Sequence, residues 1–109
     1  MPYANETRIN LAINKSTQAI AELIAAPGAG ARLAIDFIAL NPSGGANTIT
    51  MTGEAVIAFV LNDNQPLTIE NAIHDPFGVI HCNDNQAFSL TLSAATQVEG
   101  FLSYRIINK

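Results

Sequence analysis

Two histidines, one cysteine and a thin scatter of carboxylates are the side chains of this 109-residue chain best suited to chemistry. His74-Asp75 pairs a base with a carboxylate able to orient it, but side chains of adjacent residues rarely face each other, and no Ser or Cys sits in a nucleophile elbow. Asp75 standing ahead of Pro76 instead reads as an Asx-type turn on a solvated loop. His81-Cys82 has zinc-ligand types, yet period-2 geometry sends strand neighbours to opposite faces, and one Cys with two His leaves a closed site short of ligands. His81 is therefore expected to be a packed or hydrogen-bonded strand residue. Cys82 is expected to be a small apolar core residue, since no basic neighbour in sequence lowers its thiol pKa. Asn62-Asp63-Asn64 and Asn83-Asp84-Asn85 lack the carboxylate density and closing Glu of a calcium loop and read as turns. Pro27-Gly28-Ala29-Gly30-Ala31 lacks the Gly-Lys-Ser/Thr ending of a phosphate loop. Thr48, Thr50 and Thr52, and the 95–97 stretch, offer hydroxyls to a sugar, but β-propensity alone accounts for threonine on a solvent-facing strand. These residues predict no enzyme, no metal site and no cofactor.

The elements around them are short and alternating. Apolar and polar residues exchange at period 2 over 7–13, 47–52, 87–92 and 98–107, the pattern of strands with one face on a core. The last two read as a closing β-hairpin around the small-residue corner 93–96. Segments 32–40, 55–61, 67–69 and 79–82 add further strands, separated by Gly, Pro, Asn and Asp turns. Segment 18–26 also fits a short helix through Ile20, Leu23 and Ile24; its bracketing turns favour a strand. Eight or nine strands at this spacing predict an all-β, single-domain antiparallel β-sandwich or barrel spanning 1–109.

Charged residues make up 13% of the chain, against about 25% in an ordinary soluble domain. Surface so poor in charge is expected to meet protein as well as water, which predicts an oligomer. The net charge is −4, and Arg8, Lys15, Arg32, Arg105 and Lys109 are scattered, so no cation cluster is present to bind nucleic acid directly. The first six residues have no basic stretch leading into an apolar one, and no apolar run approaches the roughly 18 residues of a membrane span. A soluble protein made in a cytoplasm is expected.

Several phrases carry a resemblance. A Gly-introduced strand runs from Gly30 to Phe37, and a threonine-rich strand, 47–52, follows a small-residue loop. A loop carries Pro76-Phe77, and the phrase Leu92-Ser93-Ala94-Ala95-Thr96-Gln97-Val98-Glu99-Gly100 leads into a last strand, Phe101-Leu102-Ser103-Tyr104-Arg105. Across about residues 17–107 the chain resembles small phage virion proteins of jelly-roll fold. The resemblance implies a jelly-roll-like sandwich of about eight strands that acts as a capsid decoration (cement) protein or a related head or tail accessory protein. Such a protein is commonly a homotrimer seated on the major capsid protein at the virion surface, with no catalytic residues to carry over. The chain departs from that pattern at Asn62-Asp63-Asn64-Gln65-Pro66 and at His74-Asp75, where a Gly-rich passage is expected.

Segments 32–40 and 55–61 are apolar on both parities. The first either lies under an additional layer or contacts another subunit. Ile38, Leu40, Val56, Ala58 and Val60 are accordingly the expected subunit interface. Met1, Pro2, Tyr3, Ala4, Asn5 and Glu6 form a candidate N-terminal arm reaching the capsid. The alternative is a receptor- or glycan-binding jelly-roll module of a phage fibre or tail, which the absence of Trp and the presence of only Tyr3 and Tyr104 oppose. A cupin-like metalloenzyme is disfavoured for want of a His-x-His pair and its following Glu.

Overall fold

Period-2 alternation becomes two facing sheets. A computed structural model describes residues 7–108 and builds them from nine strands. They are β1 (Ile9–Lys15), β2 (Ala21–Ile24), β3 (Ala31–Asn41), β4 (Asn47–Thr52), β5 (Val56–Leu61), β6 (Leu67–Glu70), β7 (Ile80–His81), β8 (Phe88–Leu92) and β9 (Val98–Asn108). The first sheet has the order β1-β9-β3-β6, with β7 also on β3; the second has the order β2-β8-β4-β5. Every strand pair is antiparallel. The chain changes sheet at each connection except β4–β5 and β6–β7, giving the jelly-roll-like winding of a double-sheet sandwich. Segment 18–26 contributes strand β2, whose Ile24 is buried opposite Phe88.

The expected closing hairpin is not formed. β8 pairs with β2 and β4, whereas β9 lies between β1 and β3 in the other sheet. Alternation specifies which face of a strand is buried, not which strand lies beside it, so facing strands of a sandwich read like hairpin partners. The 93–97 corner that joins them is held by Asn47, itself only 3% exposed. Its Nδ2 donates to Ala94 O (3.0 Å) and Thr96 Oγ1 (2.9 Å), while its Oδ1 accepts from Ser93 N (2.9 Å) and Ala94 N (3.3 Å).

Two other sheet changes use the same tetrapeptide. Asn62-Asp63-Asn64-Gln65 carries the chain from β5 to β6, and Asn83-Asp84-Asn85-Gln86 carries it from β7 to β8. In each, the Gln Oε1 accepts from the N–H of the first Asn, at 2.8 and 2.7 Å, and the third residue is left-handed (Asn64 φ 56°, Asn85 φ 52°).

A bulge in β3 sets the rest of the architecture. Ile35 lies opposite Tyr104 and Phe37 opposite Ser103, so Asp36 is an extra residue. The inward parity shifts there by one: Leu33 and Ile35 face the core before the bulge, Ile38 and Leu40 after it, and all four are 0–2% exposed. Ile38 and Leu40 therefore cannot be subunit-interface residues as the unbroken alternation implied. They are packed within the chain's own core.

Candidate functional site

The chemistry-bearing residues converge on the outer face of the first sheet, where residues 71–79 leave the β3 edge and fold back over it. The excursion departs with Asn71 N–H donating to Asp36 O (3.0 Å) and returns with Val79 N–H donating to Ile35 O (2.6 Å). Gly78 makes the return possible: at φ 85°, a Cβ there would lie 2.5 Å from Ile35 O. An additional layer thus covers this half of β3, one of the two arrangements its two-sided apolar pattern allowed.

Under the layer lies a buried ion pair. Asp36 Oδ2 accepts from Arg105 Nε (2.6 Å) and Oδ1 from Arg105 Nη2 (2.9 Å), with side chains 4% and 9% exposed. Arg105 Nη2 also donates to Pro76 O (3.0 Å), and Asn71 Nδ2 donates to Asp36 Oδ1 (3.2 Å) and Asp75 O (2.8 Å). Arg8 approaches the same carboxylate at 3.4 Å from the solvent side. A bidentate guanidinium with a further donor on a backbone carbonyl is the arrangement in which a buried charge pair persists.

His74 and Asp75 do not face each other as a pair. Asp75 Oδ2 is instead 2.8 Å from His81 Nε2, which carries the proton because the carboxylate can only accept. Its Oδ1 accepts from Phe77 N (2.8 Å), the Asx turn ahead of Pro76. That backbone donor and then His81 hold the Asp75 carboxyl below its usual 3.8, partial burial opposing them and the charges of His81 and Arg105 helping. Phe77 meets the His81 ring edge-on at 6.0 Å, and the Arg32 guanidinium carbon stands 4.7 Å over the other ring, with Arg32 Nη2 3.3 Å from Glu54. The row Asp75–His81–Phe77–Arg32–Glu54 clamps the excursion across the sandwich.

Cys82 points the other way. It is fully buried in the core, and desolvation pushes its thiol up to about 11. Among the described residues, no group of three or more His, Cys, Asp or Glu is placed to hold a metal ion. Gly28 N–H donates to Asn85 Oδ1 (2.9 Å), so the glycine loop meets a turn side chain.

The remaining expected interface residues lie on β5. Val56, Ala58 and Val60 form the outward row of this edge strand, Val56 being 70% and Val60 80% exposed, while Ile57, Phe59 and Leu61 point inward. Beside them, in register, stand Thr52, Thr50 and Thr48 of β4, then Ser89 and Thr91 of β8. This face of three strands carries no charged side chain, and β5 has no Lys, Pro or bulge to guard its open edge. Met1 to Glu6 lie outside the described residues. Sequence reasoning missed the Asp36–Arg105 pair, whose one signal was the lone acid of β3, set within the apolar run 33–40, and the lone base of β9. No family model matches this sequence, and no curated protein or solved structure matches it either.

Proposed function

We propose that this chain is a non-enzymatic structural subunit that joins copies of itself through β5. Following its sequence resemblance, we assign it the role of a homotrimeric decoration (cement) protein on the major capsid protein shell of a phage. The observation that carries the reading is the exposed Val56–Ala58–Val60 row on an unguarded sheet edge. Soluble monomers blunt such edges with charge, proline or a bulge, because the free N–H and C=O groups template pairing with another chain. Burying the two valines contributes about 3–5 kcal/mol per contact, less than association commonly costs (about 4–15 kcal/mol). A closed ring narrows that deficit, since three copies gain three contacts for two association events. The polar clamp supports the same reading: Asp75, His81, Arg105 and Asp36 bond to one another and to the excursion, holding it in place.

The shell contact is assigned to Met1–Glu6, and β5 is left for sister copies. The test is to add purified protein to phage shells lacking it and locate it by cryo-microscopy. Three-fold density on the outside of the shell, lost on deletion of residues 2–6, is the expected result. Failure to bind shells in any form removes the capsid assignment; a monomer that binds shells removes the β5 assignment.

A further inference from the structure

The opposite face of the sandwich carries a second kind of surface. Where β3 and β9 emerge from under the excursion, a groove of about 410 Å³ opens. Its floor is aromatic: Phe37 and Phe101 stack with centroids 5.2 Å apart at 27°, and Phe101 remains 46% exposed. The bulge at Asp36 places Phe37 outward, beside Ser103. Arg8 forms one wall, 66% exposed; Glu70 and His74 contribute elsewhere on the lining. His74 is held in the left-handed region (φ 55°), its N–H donating to Asn71 O at 3.3 Å. Asn71 lines the groove too, but its side-chain amide is spent on Asp36 and on the Asp75 backbone. His74 thus sits in a tight turn closed on the half-buried Asn71, a conformation uncommon for a residue with a side chain.

The charges narrow the ligand. Asp36 is matched by Arg105 and approached by the largely exposed Arg8 at 3.4 Å, and with Glu70 the two acids and two bases balance around an apolar floor. That balance selects neither a phosphate nor a cation. It suits an uncharged ring with one apolar face and a rim of hydroxyls, and the volume lies at the small end of the roughly 300–1,000 Å³ typical of small-molecule sites. We propose that this groove binds a neutral saccharide, one sugar ring lying on Phe101. Glu70 and Ser103 Oγ, whose own hydrogen goes to Asn10 Oδ1, accept hydroxyl hydrogens, while Arg8 and His74 supply the complementary bonds. The sequence argued against sugar binding from the scarcity of Trp and Tyr, and the fold supplies the platform from two phenylalanines on neighbouring strands. Because the groove lies on the first sheet and the β5 row on the second, self-assembly leaves it open and neither proposal depends on the other.

Amide NMR spectra of the full chain, titrated to high millimolar concentration with the methyl glycosides of glucose, galactose, mannose and N-acetylglucosamine, test this directly. The expected result is saturable shifts with at least one of them, centred on Phe37, Glu70, His74, Phe101 and Ser103. Phe101→Ala should weaken binding at least tenfold and Glu70→Gln several-fold, with the rest of each spectrum unchanged. Glu70→Gln, an isosteric change at an exposed position, serves if Phe101→Ala fails to fold. Absence of a saturable shift with all four glycosides, shifts that map elsewhere, or binding unaffected by these substitutions would overturn the proposal.

Discussion

Replacing Asp36 by Ala removes the acceptor of two Arg105 hydrogen bonds and one from Asn71 in a site where both charged side chains are less than a tenth exposed. Breaking a buried pair from one side costs about 3–5 kcal/mol, because the surviving charge stays desolvated. A domain of this length is stable by about 5–15 kcal/mol, so the substitution takes about a fifth of the total or more. At roughly 4–8 °C per kcal/mol the melting temperature should fall by about 12–40 °C. Urea and thermal unfolding of Asp36→Ala measure this directly, and Asp36→Leu, Arg105→Met and the double variant Asp36→Leu/Arg105→Met complete a cycle. The double variant should recover most of the loss, since an apolar pair leaves no orphaned charge. A cost below about 1 kcal/mol for Asp36→Ala, or two single costs that simply add, would refute the reasoning. The exposed Arg32–Glu54 contact is the internal control: Glu54→Gln should change stability by less than about 1 kcal/mol.

Other outcomes follow from the same geometry. Asn47→Ala strips the 93–97 corner of its staple and should cost about 3 kcal/mol in urea unfolding, since several buried partners lose their bonds together. The Cys82 thiol should resist alkylation at neutral pH until denaturant unfolds the chain. Because its folded pKa, about 11, is raised above the usual 9.0, stability should hold below pH 9 and decline as pH rises between those values. Asp75 shifts the opposite way: its carboxyl should titrate below 3.8 by NMR, and its contribution to stability, present above the ordinary aspartate range, is lost as pH falls through the folded value. Asp75→Asn should flatten that acid limb.

Strand positions were legible because each strand buries one face, and alternation along 47–52 and 88–92 maps directly onto the buried and half-buried positions of β4 and β8. Two things were not. Pairing is invisible to alternation, so β8 and β9 read as partners when they sit in different sheets. Parity fails wherever a residue is inserted: the bulge at Asp36 moves Ile38 and Leu40 from the outward set to the core, which turned buried residues into expected surface. The signal was present in a single acid interrupting an apolar run, with Arg105 as the one base in the last strand up to Asn108. Val56, Ala58 and Val60 escaped this error because β5 keeps its register with β4 throughout. The aromatic groove was hidden for a related reason, since Phe37 and Phe101 are far apart in sequence and meet only through the β3–β9 ladder.

Assembly through β5 is tested most directly by sedimentation equilibrium of the wild-type chain beside Val60→Lys at micromolar concentration. The wild type should sediment at three times the 11.5 kDa chain mass. Val60→Lys, losing at least about 2 kcal/mol per contact, should associate roughly 30-fold more weakly at each contact and shift toward monomer with its fold intact. A wild-type chain that stays at 11.5 kDa, or a Val60→Lys variant that assembles as readily as the wild type, would contradict it.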